Sequence, residues 1–209
     1  MNRPFIILGG GGHACVVADL LQQTDRTILG FTDPSPDASL GTDVDYLGSD
    51  DAITHYDVAD TALAMGIGST HDTSLRTRLF QTFKRRGFHF PALVHPSSTI
   101  AHTAECNVGA QIMAGAVVQP NTQVGENAVI STNASVDHDC CIGEHAHVSP
   151  GATLSGHVTV GAGAHIGSGA TIIQGVRVGK ESIVGAGAVV IEDVPPETTV
   201  VGVPARSVS

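Results

Sequence analysis

The chain has 209 residues, enough for one or two domains with a real core, and sets 10 Lys plus Arg against 20 Asp plus Glu for a formal charge of -10. No basic stretch could track a phosphate backbone, so no nucleic-acid partner is expected. The N-terminal apolar run, Pro4 to Leu8, is too short for a signal peptide or a membrane span, so a cytoplasmic address in reducing surroundings is expected. Aromatics are 4%, with 25 Gly and no Trp, so the core must be built from small and β-branched side chains. The four cysteines, Cys15, Cys106, Cys140 and Cys141, match no zinc spacing. Cys140 and Cys141 are neighbours that an extended strand would point to opposite faces, and no metal is expected.

Up to about Phe90 the pattern alternates. Phe5 to Leu8 reads as a short apolar strand ending in glycines, Ala14 to Leu21 has helical spacing, and Thr27 to Asp33 reads as a second strand. Thr61 to Gly66 reads as a third strand, and Thr73 to Arg86 as an amphipathic helix closed by Gly87. Strand, helix, strand, helix, strand, helix implies a small Rossmann-like parallel sheet of α/β type over residues 1–92.

Gly9-Gly10-Gly11-Gly12-His13-Ala14 satisfies G-x-G-x-x-A between the first strand and the first helix, with Asp33 at the end of the second strand. That is the position and spacing of a dinucleotide fingerprint. A tight strand-to-helix turn is the plainer reading. Three strands make only half of a doubly wound fold, which suits a mononucleotide whose pyrophosphate meets the helix N-terminus.

From Ile100 the period becomes six. Every sixth residue from Ile100 to Val190 is Ile, Val or Leu in fifteen of sixteen cases, Cys106 being the exception. The residue four further on, from Ala104 to Val194, is always small or β-branched. No helix or ordinary hairpin sheet has that period, so residues 93–209 read as a solenoid of stacked coils. One large and one small residue per hexad fill a narrow interior, and the glycines common after the aliphatic position are expected to relieve the corners.

This register matches the hexapeptide repeat of the left-handed parallel β-helix, and that resemblance implies three hexads per triangular coil. Residues eighteen apart should then stack, roughly 4.8 Å from coil to coil. His138 falls beneath Gly156, Asp139 beneath His157, and His147 beneath His165. Polar residues at solenoid corners ordinarily face water, and His102, His145 and His165 are expected to do so. His138 stands apart, since Asp137 and Asp139 flank it. A carboxylate can orient an imidazole and raise its basicity, which makes a general base.

The glycine run G-G-G-G-H-A, the stretch V-D-H-D-C-C-I-G, the following H-V-S-P-G and the closing V-V-G-V-P-A-R occur in an order that resembles the NeuD/PglD family of bacterial sugar O- and N-acetyltransferases. The likeness covers essentially the whole chain, although the VGVPA ending is shared widely among hexapeptide acyltransferases. It implies an acetyl-CoA-dependent N-acetyltransferase acting on a nucleotide-linked amino-sugar, such as a UDP-4-amino-4,6-dideoxy sugar. O-acetylation of sialic acid and N-acetylation of GDP-perosamine are the alternatives, and an inactive nucleotide-binding scaffold is the non-enzymatic one. It implies His138 as catalytic base, with Asp139 where nucleotide-sugar members typically carry Glu. It also implies His147 near the thioester of acetyl-CoA, Gly156 as an N–H donor to the acetyl carbonyl, and Ser168, Gly169, Ala186 and Gly187 along the pantetheine arm. In the first domain Gly10, Gly11, Gly12 and His13 would lie near phosphate, Asp33 near the ribose or base, and Gly66 along the third-strand rim. A homotrimer with active sites between subunits completes the expectation. Arg177, Lys180 and Arg206 are nearby cations whose plainer reading is solvated surface.

Overall fold

The computed structural model describes residues 3–69 and 73–208. It divides into two compact units: one holds the chain to Gly68 with Ser74–Leu93, and the other holds Ser69, Thr73 and the chain from Val94 onward.

The first unit is built on β1 (Phe5–Leu8), α1 (Gly12–Gln23), β2 (Ile28–Thr32), β3 (Ala62–Met65) and α2 (Ser74–Arg85). The three strands pair in parallel in the order β2-β1-β3. All four residues of β1 and of β3 are buried, as expected of strands covered on both faces. Ile6, Leu8, Leu63 and Met65 join Ile53, Phe80, Phe83, Phe88 and Phe90 in one core cluster. The rings of Phe80 and Phe90 meet at 4.7 Å. Arg76 is buried at the start of α2 and donates to the Ile67 carbonyl at 2.6 Å, and burial brings its pKa down to about 9.

The helix expected between the second and third strands is absent. That connection holds one 3-10 segment, Asp50–His55. The stretch before it, P-S-P-D-A-S-L-G-T-D, is dense in Pro, Gly, Ser and Asp, which favour turns over helical hydrogen bonding.

The second unit is a parallel β-solenoid. Two-residue strands recur every six residues from Thr99–Ile100 to Val189–Val190 and sort into three sheets. Strands within the solenoid pair with those eighteen residues before and after them, as Val129 does with Gln111 and His147. The aliphatic position points inward throughout, with Val136, Val148, Leu154 and Ile166 fully buried, and the small position beside it is buried at Ala134, Ala152 and Ala170.

The corners correct one expectation. The glycines after the aliphatic position serve close coil-to-coil approach. A Cβ on Gly143 would stand 2.6 Å from the Ala162 backbone nitrogen, and one on Gly161 2.5 Å from that of Lys180. The tight turn is made two residues further on, in the left-handed region, by Asn, Asp, His or Gly, and by Glu at Glu181.

Candidate active site

His138 and Asp139 form such a corner. They follow the strand Ser135–Val136 of one sheet and precede Cys141–Ile142 of the next. Asp139 adopts φ +58°, and His157, one coil on, φ +59°. A backbone ladder runs along this edge: the Asp139 N–H donates to the Pro120 carbonyl at 3.0 Å, and the His157 N–H to that of His138 at 2.9 Å.

The side chains follow from that stacking. The His138 Nδ1–H donates to Asp139 Oδ2 at 2.7 Å, and Asn121, one coil back, donates to Asp139 Oδ1 at 3.1 Å. Asp137 turns back to accept from the His138 N–H at 2.8 Å. Gly156 lies against the imidazole so closely that a Cβ there would stand 2.6 Å from Cε1 and 2.7 Å from Nε2. The hydrogen bond to Asp139 raises the His138 pKa above its ordinary value near 6.5, against some desolvation, and the charge of Asp137 adds to the rise. The same bond, with the one from Asn121, lowers the Asp139 pKa. With Nδ1 committed to a carboxylate, Nε2 is the nitrogen left with a lone pair. It faces a glycine whose N–H has no partner among the described residues. The corner therefore offers a base and a backbone donor on an open edge.

His147 and His165 lie elsewhere. They precede the inward Val148 and Ile166 on another sheet, whose outward positions Gln111 and Val129 are also buried. His147 Nδ1 meets the Ser69 hydroxyl at 2.7 Å and Nε2 the Ser131 hydroxyl at 2.9 Å. His165 Nε2 meets Ser149 at 3.2 Å. His145 is buried against Asn127 at 2.9 Å. The expectation that His145 and His165 face water is thus overturned, while His102 is exposed. A hexad register says which way a side chain points but not which outward faces are covered.

Ser168 and Gly169 stack beneath Ala186 and Gly187, and the Gly187 N–H donates to the Ser168 carbonyl at 2.9 Å. All four are exposed. They form the corner between the His147 sheet and the Ser135 sheet, a different edge of the prism from His138. His147 itself lies on the sheet that does not adjoin the His138 edge. One chain therefore brings together His138, Asp139 and Gly156, and separates them from His147, Ser168, Gly169, Ala186 and Gly187.

Cys140 occupies an inward small-residue slot, donates its thiol to the Ser155 carbonyl at 3.2 Å, and is pushed up to about 11 by burial. That environment suppresses the thiolate an acyl-enzyme would need. Arg177, Lys180 and Arg206 are exposed, Lys180 beside Glu181 at 3.1 Å.

In the first unit, Gly9 takes φ +101° with Ile67 against it. The Gly10 N–H donates to Asp33 Oδ2 at 2.8 Å, so Asp33 ties the glycine turn to the end of β2. Asp33 also accepts from the Ser35 N–H at 2.9 Å. Gly66 is enclosed by Ile7, Ala14 and the Leu8 carbonyl, which a Cβ would meet at 2.6–2.9 Å. Gly11 and Gly12 differ, since a Cβ on either would meet nothing within 4 Å. Gly11 caps α1 without a side chain, and the first turn holds no acidic residue. Among the described residues nothing therefore crowds the start of α1 at Gly11 and Gly12, beside His13, and a helix start open in this way suits an anion.

Comparison with known proteins agrees with both units. Residues 4–83 match the family model described as the PglD N-terminal domain, and residues 157–192 match a hexapeptide repeat of succinyl-transferase. No curated protein matched the sequence. A point variant of perosamine N-acetyltransferase from Caulobacter crescentus, solved with CoA and GDP-perosamine, superposes with a TM-score of 0.92 at 34% identity, over 100% of this chain and 98% of that one. The acetyltransferase domain of PglB from Neisseria gonorrhoeae, in complex with acetyl coenzyme A, gives a TM-score of 0.94 at 31% identity over 100% of both chains. WeeI from Acinetobacter baumannii gives 0.88 at 25% identity over 99% of this chain and 100% of that one.

Proposed function

Since this chain belongs to the NeuD/PglD family of sugar acetyltransferases, with a left-handed parallel β-helix as its second unit, we propose that it transfers acetyl from acetyl-CoA to the amine of a nucleotide-linked amino-sugar. The observation that carries this reading is the His138–Asp139 pair on an open edge, with the His138 ring packed against Gly156. His138 Nε2 takes the proton from the amine as its nitrogen attacks the thioester carbon. The imidazolium is held by Asp139, and the Gly156 N–H donates to the carbonyl oxygen as it becomes an oxyanion. Collapse breaks the carbon–sulfur bond, and the proton on Nε2 returns to the departing CoA thiolate. No covalent acyl-enzyme is formed, in keeping with the suppressed Cys140 thiol.

The glycine turn of the first unit, with Gly10, Gly11, Gly12 and His13, holds the nucleotide diphosphate. Asp33 braces that turn, and Gly66 lets β3 close on β1 and α1. His147, Ser168, Gly169, Ala186 and Gly187 serve acetyl-CoA. Because these lie on other faces of the prism than His138, a complete site draws on two copies of the chain, and the protein works as a homotrimer with three sites. Ile173 and Ile191, in register one coil apart and each 40% exposed, are apolar surface for such packing. No helix among the described residues is long and apolar enough to cross a membrane. A cytoplasmic address accords with acetyl-CoA as co-substrate.

GDP-perosamine is the first acceptor to test, for it is the sugar bound to relatives at 34% and 35% identity. UDP-4-amino-4,6-dideoxy sugars come next, and sialic acid serves as the hydroxyl acceptor. Rapid CoA release with a nucleotide-amino-sugar, lost by about 10²–10⁴-fold in His138→Ala, is the expected result. A folded His138→Ala variant with near wild-type turnover would sink the mechanism.

A further inference from the structure

We infer that His138, Asp139 and His157 form a binding site for a divalent zinc ion, and that zinc held there switches the transferase off. The three groups stand on two adjacent coils of one edge, and one ligand atom from each lies within 4.8 Å of the others. His138 Nδ1 is 2.7 Å from Asp139 Oδ2, and His157 Nε2 is 3.8 Å from the same oxygen. Zinc bonds of about 2.0–2.2 Å in a tetrahedron set ligand atoms roughly 3.3–3.5 Å apart, between the two separations found here. Two imidazoles with one carboxylate suit zinc and its first-row neighbours, and do not suit magnesium or calcium. Water completes the fourth position on this open edge.

The frame is already built. Asp139 and His157 are both locked in the left-handed corner conformation, and the corner ladder holds one coil over the other. Asn121 engages Asp139 Oδ1 and so turns Oδ2 toward both imidazoles, the service an outer hydrogen bond performs for a metal-ligating carboxylate. The imidazoles cross edge to face at 5.2 Å between centroids, at 89°.

The inhibition follows from the tautomer. Zinc on Nδ1 of neutral His138 displaces its proton to Nε2, the nitrogen that must accept the amine's proton. The base then holds a proton where it needs a lone pair. This consequence rests on the proposed function, whereas the binding does not.

The test is a competition titration of the full-length protein against a chromophoric zinc chelator, for wild type, His157→Asn, Asp139→Asn and Cys141→Ser. Asn is at ease in a left-handed corner, so His157→Asn keeps the fold, which circular dichroism checks. One zinc per chain is expected, weakened by about tenfold or more in His157→Asn and Asp139→Asn and unchanged in Cys141→Ser. Binding that is absent, or equal in wild type and His157→Asn, overturns the site. Initial CoA-release rates are then read with and without zinc. Zinc should slow the wild type and a chelator restore it, while His157→Asn keeps more of its own zinc-free rate. Zinc that binds and leaves the wild-type rate intact overturns the switch. Should no amino-sugar be turned over at all, the proposed function fails, and the titration alone decides the zinc site.

Discussion

At the scale of single residues, the chemistry depends on which nitrogen of His138 is free. Asp139 holds Nδ1–H, which leaves Nε2 to act as base in the proposed mechanism, and the same bond raises the pKa. A base whose pKa is raised must be deprotonated to act, so the acid limb of kcat/KM should lie above the ordinary histidine value near 6.5. In Asp139→Asn both the hydrogen bond to a charged acceptor and the nearby negative charge are lost. The limb should move to lower pH and the plateau should fall, as a pH–rate profile would show. A limb that stays put would remove Asp139 from the mechanism. Gly156 gives a second handle. In Gly156→Ala the new methyl enters the space of the imidazole, with His138 Cε1 only 2.6 Å away. The ring must swing aside, and kcat should fall by about 10²-fold with little change in thermal midpoint.

At the scale of the element, one hexad is too short to bury anything by itself, and each coil depends on its neighbours. Ile166 is fully buried in the solenoid interior, while Thr153 two strands earlier faces outward. Ile166→Ala should cost about 2–5 kcal/mol in denaturant unfolding, and Thr153→Ala little. Equal effects at the two positions would contradict the inward and outward assignment. The same alternation places Cys140 inward and Cys141 outward. In the first unit β1, β3 and α2 were legible because their apolar pattern coincides with their burial. The connection after β2 was not, since turn-forming residues say where regular structure fails without saying which short segment replaces it.

At the scale of the whole molecule, the proposed mechanism divides its two halves between two prism edges. His138→Ala removes one half and Ala186→Trp blocks the other, and each variant alone should be inactive as a homotrimer. Co-expressed, they should recover about a quarter of wild-type activity, since every randomly mixed trimer contains one interface with both halves intact. A purified mixture that stays inactive, with mixed trimers verified by mass, would place the whole site within one chain.

The six-residue period by itself determined the solenoid and its inward positions, and the three hexads per coil implied by the family resemblance then stacked His138 under Gly156 and Asp139 under His157. It did so because a uniform coil makes sequence separation equal to spatial separation. Asn121 lay in the same column as Asp139 and could have been read from it by the same count. Ser69 could not, for it meets His147 across 78 residues through a contact that no local pattern encodes. Tertiary structure alone decided which outward face is covered, and so buried His145, His147 and His165 while leaving His138 open. It also decided that Gly66 and the glycines at coil contacts are small for packing, whereas Gly11 and Gly12 leave room for something outside the chain. A glycine in the sequence is the same letter in both cases, and only its neighbours in space tell them apart.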